Sequence, residues 1–321
     1  MDQPLVSVAM ITYNHAPYIA RAIEGVINQR TSFPVELVIG EDHSTDGTRE
    51  IVLEYARRYP DLIHVVKSDH NLGASENSNR TLVACRGRYI AFCEGDDFWH
   101  RDDKLELQVN YLNSHHDCEL VCSDLDRLDQ VSGDLIESYV AASGLVPPDP
   151  VSIIDVLSPN GSVHTCTVLA SRELIFRIKN ADPYLHSEGR FKMGDRQLWA
   201  EAATLTRIRF MTDSLATYRY LPESASRSKD KRRLIEFWIS SVEMRLYLCE
   251  KHKLPNWLRQ RNENRLTNLS LKLAFQKRDS QLARNVQKAA GRLSMKDRFW
   301  YLGATVPVVR PVVGLLDRLF H

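Results

Sequence analysis

The chain has 321 residues, 43% hydrophobic and 26% charged, an ordinary soluble composition with room for a sizeable core and for two domains or one with an appendage. Its net charge of +1 hides an asymmetry, because residues 1–226 carry 21 Lys and Arg against 33 Asp and Glu, whereas residues 227–321 carry 21 against 8. No aromatic-interleaved RNA motif or zinc finger accompanies the basic tail, which turns the expectation from nucleic acid toward anionic lipid or an acidic partner.

The first segment, LVSVAMITY (5–13), is a short β-rich run. PYIARAIEGVINQ follows, with Ile19, Ala22, Ile23, Val26 and Ile27 at helical spacing behind an early Pro17. With VELVIG (35–40) as the next strand, these segments predict a βαβ unit. A second helix after STDGT carries Ile51, Val52, Tyr55 and Ala56 on one face and leads to the strand LIHVVKS (62–68). A third, over 74–85, leads to RYIAFCE. Near-continuous apolar strands separated by helices predict an α/β fold with a mostly parallel sheet covered on both faces.

In such sheets ligands gather beyond the carboxyl ends of the strands. Thr12, Tyr13, Asn14 and His15 follow the first strand, Glu41 and Asp42 the second, Asp69 and Asn71 the third, and Glu94, Asp96 and Asp97 the fourth. Turn and cap chemistry explains any one of these loops, but four on one rim point to a binding site. Three acids within four residues repel one another unless a hard cation such as Mg²⁺ or Mn²⁺ offsets the charge, and such an ion is the usual partner of a diphosphate. A solvated helix cap accounts for Asp102 and Asp103, yet poorly for acids still attached to a buried strand.

These residues form a pattern that resembles the family 2 glycosyltransferases of GT-A fold over about residues 4–225. VSVAMITYNHAPYIARAIEGVINQ, GEDHSTDGT, NLGASENSN and RYIAFCEGDDFW with KLELQVNYL are similar to that family's successive nucleotide-sugar motifs. The resemblance implies a Rossmann-like domain and an inverting transfer from a nucleotide sugar, commonly UDP-linked, in cell-surface polysaccharide or glycoconjugate synthesis. It further implies that Thr12, Tyr13 and Asn14 pack the nucleoside and that Asp42 bonds the base, with Glu41 and Asn71 alongside. EGDD matches the DxD motif, so Asp96 is the expected metal ligand and Glu94, in place of the usual first Asp, lies near ribose or metal.

The resemblance extends to 191–220, where an acid before a helix serves as catalytic base; Asp195 is that residue here, and a helix N-cap is its structural alternative. His164 and Glu188 are the other candidates for the base. NGSVHTCTVLASREL (160–174) reads as a short strand entering a helix, and its resemblance to the family's acceptor-side segment implies His164 and Thr165 as wall residues of the site, with a structural histidine as the competing reading of His164. Arg219 or the Ser224–Arg227 stretch is the expected lid on the diphosphate, with a solvated linker as the competing reading.

Past about residue 231 the resemblance fades. RRLIEFWISSVEMRLYLCEKH and ENRLTNLSLKLAFQKRDSQLARNVQKAA predict two or three amphipathic helices. The closing FWYLGATVPVVRPVVGLLDRLFH is interrupted by Pro307, Arg310 and Pro311 and does not read as a transmembrane span. Packing on the catalytic domain, packing in a homodimer and peripheral attachment to an anionic membrane remain open for it. The expected organisation is a catalytic domain over 1–226 and a basic helical region over 227–321. The six cysteines include no CxxC pair and the opening MDQPLVSVAM is not a signal segment, so the expected setting is cytoplasmic, with Cys118 and Cys122 as buried thiols rather than half a metal site. A saccharide or lipid-linked saccharide is the expected acceptor. A nucleotidyltransferase and a non-catalytic nucleotide-sugar-binding scaffold are the alternatives; the first wants a Gly-rich basic loop that TYNHAPY lacks, and Asp195 argues against the second.

Overall fold

The structure is a computed structural model that describes residues 3–158, 161, 163–186, 190–222, 224 and 227–319. They gather into two compact units, one holding residues up to Arg190 together with Gly194–Leu221, the other Phe191–Met193 together with the chain from Pro222 onward.

The first unit opens with β1 (Val6–Thr12), α1 (Ile19–Ile27), β2 (Val35–Glu41), α2 (Thr48–Arg58), β3 (Ile63–Lys67), α3 (Ala74–Ala84) and β4 (Tyr89–Phe92). β1 is buried almost throughout because it is central, pairing in parallel with β2 through Val6↔Val35 and with β4 through Val6↔Tyr89. Helix α1 turns Ile19, Ala22, Ile23 and Val26 inward, as their spacing requires. The run continues through β5 (Phe98–Trp99), α4 (Lys104–Ser114), β6 (Cys118–Asp129), β7 (Leu135–Ile136), α5 (Tyr139–Ala142) and α6 (Ile153–Leu157). It closes with β8 (Leu169–Ser171), α7 (Arg172–Ala181), α8 (Pro183–His186), α9 (Arg196–Leu205) and β9 (Arg207–Tyr220).

The strand order is β3-β2-β1-β4-β8-β6-β9-β5, with β7 on β6. From β3 to β4 every pair is parallel; β8 then enters antiparallel between β4 and β6, and β6 and β9 run parallel again. The sheet is therefore mixed, its parallel half being the alternation legible in the sequence. β6 is the strand that the sequence reading lacks, since Asp124 and Asp126 interrupt its apolar run. The fold buries Asp124 by giving its carboxylate three backbone N–H donors, from Leu125 (2.7 Å), Val140 (2.8 Å) and Ala141 (3.0 Å).

The core beneath this sheet includes Val8, Met10, Ile23, Leu37, Ile39, Leu105 and Leu125. It also takes in Lys104, whose Nζ donates to Gln108 Oε1 at 2.7 Å and lies 4.3 Å from the Trp99 ring centroid; burial pulls its ammonium down to about 7. All six cysteines are buried free thiols, and burial pushes Cys85 up to about 12.

The second unit is helical, with α10 (Lys231–Lys251), α11 (Asn256–Lys277), α12 (Ser280–Ala290), α13 (Met295–Thr305) and α14 (Arg310–Leu319). Leu271, Ala274, Phe275, Ala283, Leu293, Trp300, Ala304 and Val313 form its core. A Cβ at Gly303 would meet Val313 Cγ1 at 2.8 Å and Phe275 Cδ2 at 2.9 Å, so the close crossing of α13 needs glycine there. Among the described residues no helix is long and apolar enough to cross a membrane.

Candidate active site

The loops after β1 and β2 are laced together. The backbone N–H of Asn14, which sits at φ 55°, donates to Ser44 Oγ (3.0 Å), and Asn14 Oδ1 accepts from Thr45 N–H (2.9 Å). His15 N–H donates to Thr48 Oγ1 and Ala16 N–H to Asp46 Oδ2, at 2.8 and 3.0 Å. Thr12 is buried at the strand end and Tyr13 leaves its ring exposed beside it.

Glu41 is fully buried: Oε1 accepts from Ser44 N–H (2.7 Å) and Oε2 pairs with Arg49. Asp42 Oδ1 and Oδ2 accept from Leu72 and Gly73 N–H, each at 2.9 Å, and Asn71 Nδ2 donates to the Asp42 carbonyl at 3.4 Å. Arg80 Nη2 donates to the Glu41 carbonyl at 2.7 Å. The structure thus unites Thr12, Asn14, Glu41, Asp42 and Asn71 on one rim and spends the two Glu41 oxygens on the Ser44 loop and on Arg49 of α2. Asp42 retains only the second lone pairs of its oxygens for a further donor.

The acidic turn follows β4. Gly95 N–H donates to the Ile11 carbonyl (2.9 Å) and Asp97 N–H to the Glu94 carbonyl (3.0 Å). A Cβ on Gly95 would come 2.7 Å from Thr12 Oγ1 and 3.0 Å from His15 Nδ1, so only glycine lets the turn lie against the end of β1. Asp96 faces His15, with Oδ2 and Nε2 4.0 Å apart. Asp97 is buried and accepts from Arg219 N–H (2.8 Å); burial, then Asp96 and Glu94, push it well above the usual carboxylate range. Glu94 Oε2 is shut away from solvent with no hydrogen-bond partner, and burial, reinforced by Asp96 and Asp195, raises this carboxyl to about 8.

Asp195 stands at the N-cap of α9, exposed, with Oδ1 accepting from Arg196 N–H (2.7 Å) and Oδ2 from Thr165 Oγ1 (2.9 Å). Its cap role and its accessibility coexist. Trp199 Nε1 reaches the same Thr165 hydroxyl at 3.4 Å, and the Trp199 ring meets Phe92 edge-on at 5.1 Å. Thr165–Thr167 form a single 3-10 turn ahead of the short strand β8 and helix α7. His164, just ahead of it, packs against Tyr139 and Tyr218, with centroids 6.4 and 6.0 Å away. Burial and then Arg196 pull His164 down to about 4, so its ring is neutral near pH 7.

Arg219 belongs to β9, is 5% exposed, and lies over the Phe98 and Tyr18 rings at 4.5 and 5.2 Å while Nη1 donates to the Asp96 carbonyl at 3.2 Å. That makes it a fixed part of the rim instead of the lid the sequence suggests. Of the Ser224–Arg227 stretch, residues 225 and 226 lie outside the described residues, as does Glu188. Sequence reasoning set His15 and Asp97 on the rim without giving either a role, and passed over Arg49, Arg80 and Trp199; the two arginines are marked only by tertiary pairing.

The Glycosyl transferase family 2 model matches residues 7–139. The chain is 31% identical over 234 residues to the putative teichuronic acid biosynthesis glycosyltransferase TuaG of Bacillus subtilis, covering 71% of this chain and 84% of that protein. Uncharacterized mycobacterial proteins are 46% identical over 110 residues, but that match spans only 32% of their length. Two solved structures share the fold. Staphylococcus aureus TarS 1–349 in complex with UDP has a TM-score of 0.57 at 17% identity, covering 95% of this chain and 91% of that one. The mannosyltransferase PcManGT of Pyrobaculum calidifontis in complex with GDP-Man and Mn²⁺ has a TM-score of 0.56 at 17% identity, covering 99% and 88%.

Proposed function

The chain belongs to glycosyltransferase family 2, and on that premise we propose that it moves a sugar from a nucleoside-diphosphate donor, UDP-linked in the first instance, to an acceptor hydroxyl during synthesis of a cell-surface polysaccharide or glycoconjugate. The teichuronic acid role printed for the Bacillus relative supports the product class, and the UDP and GDP-Man of the two structural neighbours support the donor class. The observation that carries the reading is an oriented, solvent-reached carboxylate, Asp195, close enough to the acidic turn to raise Glu94.

In this reading Asp195 takes the proton from the acceptor hydroxyl. The hydroxyl oxygen attacks the anomeric carbon opposite the diphosphate, whose oxygen departs with the bonding pair, and the configuration inverts. Thr165 holds the carboxylate in place, and neutral His164 lines the acceptor side with Tyr139 and Tyr218. Thr12, Tyr13, Asn14, Asp42 and Asn71 form the nucleoside side.

Among the described residues no three His, Cys, Asp or Glu side chains meet so as to hold an ion by themselves. The residues nonetheless fit a Mn²⁺ or Mg²⁺ shared with the diphosphate. Asp96 and Glu94 are hard oxygen ligands, Glu94 Oε2 lacks any partner, and Mg²⁺ normally binds one or two carboxylates beside substrate phosphates. When bound, the ion would offset the charge building on the departing diphosphate.

We assign catalysis to 1–226 and read 227–321 as a basic appendage that keeps the enzyme at the anionic cytoplasmic face of a membrane, near a saccharide or lipid-linked saccharide acceptor. The reading is tested by screening UDP- and GDP-linked sugars for metal-dependent turnover and then replacing Asp195 with Asn. Turnover is expected to fall about 10²–10⁴-fold with donor affinity little changed. Near-normal turnover in the variant would move the base elsewhere, and joint loss of donor binding and stability would leave Asp195 a structural cap.

A further inference from the structure

We propose that the α12–α13 corner and the outer face of α14 form a docking surface for a membrane containing anionic phospholipids, the lipid phosphates being taken by Arg292, Lys296 and Arg298. The proposal rests on the transferase reading for its purpose, which is to bring the enzyme to a lipid-borne acceptor, and on the helical unit alone for its evidence.

The first observation is a set of cations without internal partners. Lys288, Arg292, Lys296 and Arg298 have exposed side chains that make no hydrogen bond or ion pair among the described residues. Nearby acids are already engaged: Asp297 accepts from Ser294 Oγ (2.6 Å) and Asn268 Nδ2 (2.8 Å), and Glu263 pairs with Arg259 (2.9 Å). These four cations, part of the 21 Lys and Arg against 8 Asp and Glu of residues 227–321, are thus available to an outside anion.

The second observation is shape. A cleft of about 890 Å³ has Arg265, Arg292 and Lys296 in its lining, and a second of about 400 Å³ is lined by Arg292, Arg298, Tyr301 and Leu302 among others. Arg292 belongs to both, so the loop between α12 and α13 presents cations into two adjoining recesses of headgroup size.

The third observation is apolar surface in the same place. Met295 and Val308 are 88% and 86% exposed, and Leu302, Val312 and Leu315 are exposed as well. On α14, Val312 and Leu315 are three apart and share one face, Val308 is exposed in the turn just ahead of the helix, and Val313 turns into the core. Met295 is adjacent to Lys296, and Leu302 shares a cleft with Arg292 and Arg298.

Apolar side chains beside unpaired cations suit a bilayer interface, where phosphates meet hydrocarbon. Nucleic acid offers the phosphates without the hydrocarbon. A second copy of the chain brought face to face would set the cations against one another, which disfavours it as occupant.

The experiment is flotation of the full chain with vesicles of phosphatidylcholine, with and without about a third phosphatidylglycerol. The protein is expected to float with the anionic vesicles and to be released as salt screens the attraction. In the triple variant Arg292→Gln, Lys296→Gln, Arg298→Gln the partition coefficient is expected to fall about 100-fold. In Val308→Ser, Val312→Ser, Leu315→Ser it should fall at least about tenfold. Both variants should melt like wild type and bind the sugar nucleotide from the screen equally well in lipid-free solution, which separates a failure of docking from a failure of the transferase reading. Equal wild-type recovery on neutral vesicles, or wild-type flotation of the glutamine variant, would overturn the proposal. So would a wild-type dimer that the serine variant dissolves while flotation is unchanged.

Discussion

Asp195 combines two properties that the other acids of the site do not share, a fixed orientation and access to solvent. The orientation comes from the Arg196 N–H at Oδ1 and from one side-chain donor, the Thr165 hydroxyl, 2.9 Å from Oδ2. Thr165→Val keeps the shape of the side chain and removes that donor, so kcat is expected to fall roughly tenfold while donor KM stays constant, in line with the loss of about one hydrogen bond to a charged group. Steady-state kinetics separates this from a structural effect, which would raise KM or lower the melting temperature as well. Lys104 shows what burial does where no acid compensates it. Its ammonium titrates near 7 in the folded chain and near the ordinary 10.5 once unfolded. Between those values the unfolded chain binds more protons, so this residue makes stability rise with pH from about 7 to 10.5 and adds no slope below 7. Urea unfolding of wild type and Lys104→Met over pH 7–9.5 should show the wild type gaining relative to the variant by at most about 1.4 kcal/mol per pH unit. A constant difference would mean that the amine stays charged throughout.

β1, α1 and β2 were legible in the sequence because their signals are local: a burial run, a helical spacing, a second burial run. β6 was not legible. Its pairing with β9, from Cys118↔Arg207 to Asp129↔Tyr220, joins segments about 90 residues apart, and two of the three backbone donors that make Asp124 tolerable come from α5. The rim followed the same division. Acids at strand ends could be located from the strands, but Arg219 looked like a lid because nothing in YRYLPES reveals that β9 carries it over the rings of Tyr18 and Phe98. The turn after β4 depends equally on an element elsewhere. With a Cβ 2.7 Å from Thr12 Oγ1, Gly95→Ala is expected to lift the turn off β1, costing about 1–3 kcal/mol of stability as an overpacked contact does. Thermal unfolding should report that loss, and metal-dependent donor binding should weaken more than the melting shift alone would explain, because Asp96 moves with the turn.

At the scale of the whole molecule, one hydrophobic cluster of the described residues lies under the sheet and another among α11, α12, α13 and α14. A ligand that binds the rim stabilises the unit it touches by mass action. Hydrogen exchange with a sugar nucleotide and Mn²⁺ should therefore slow in β1, β2, α3 and the turn after β4 and stay unchanged in α11 and α12; uniform slowing across both cores would indicate that they open as one. The six thiols are spread over both units, Cys249 in α10 and the others in or beside the sheet, all buried and unpaired. A thiol reacts as its thiolate and only where reagent can reach it, so the native chain offers maleimides almost nothing. Any cysteine introduced on the surface would then be the sole reactive handle. A single fluorophore or spin label on the outer face of α14, or beside Asp195, could be attached without first stripping the protein of its own sulfur.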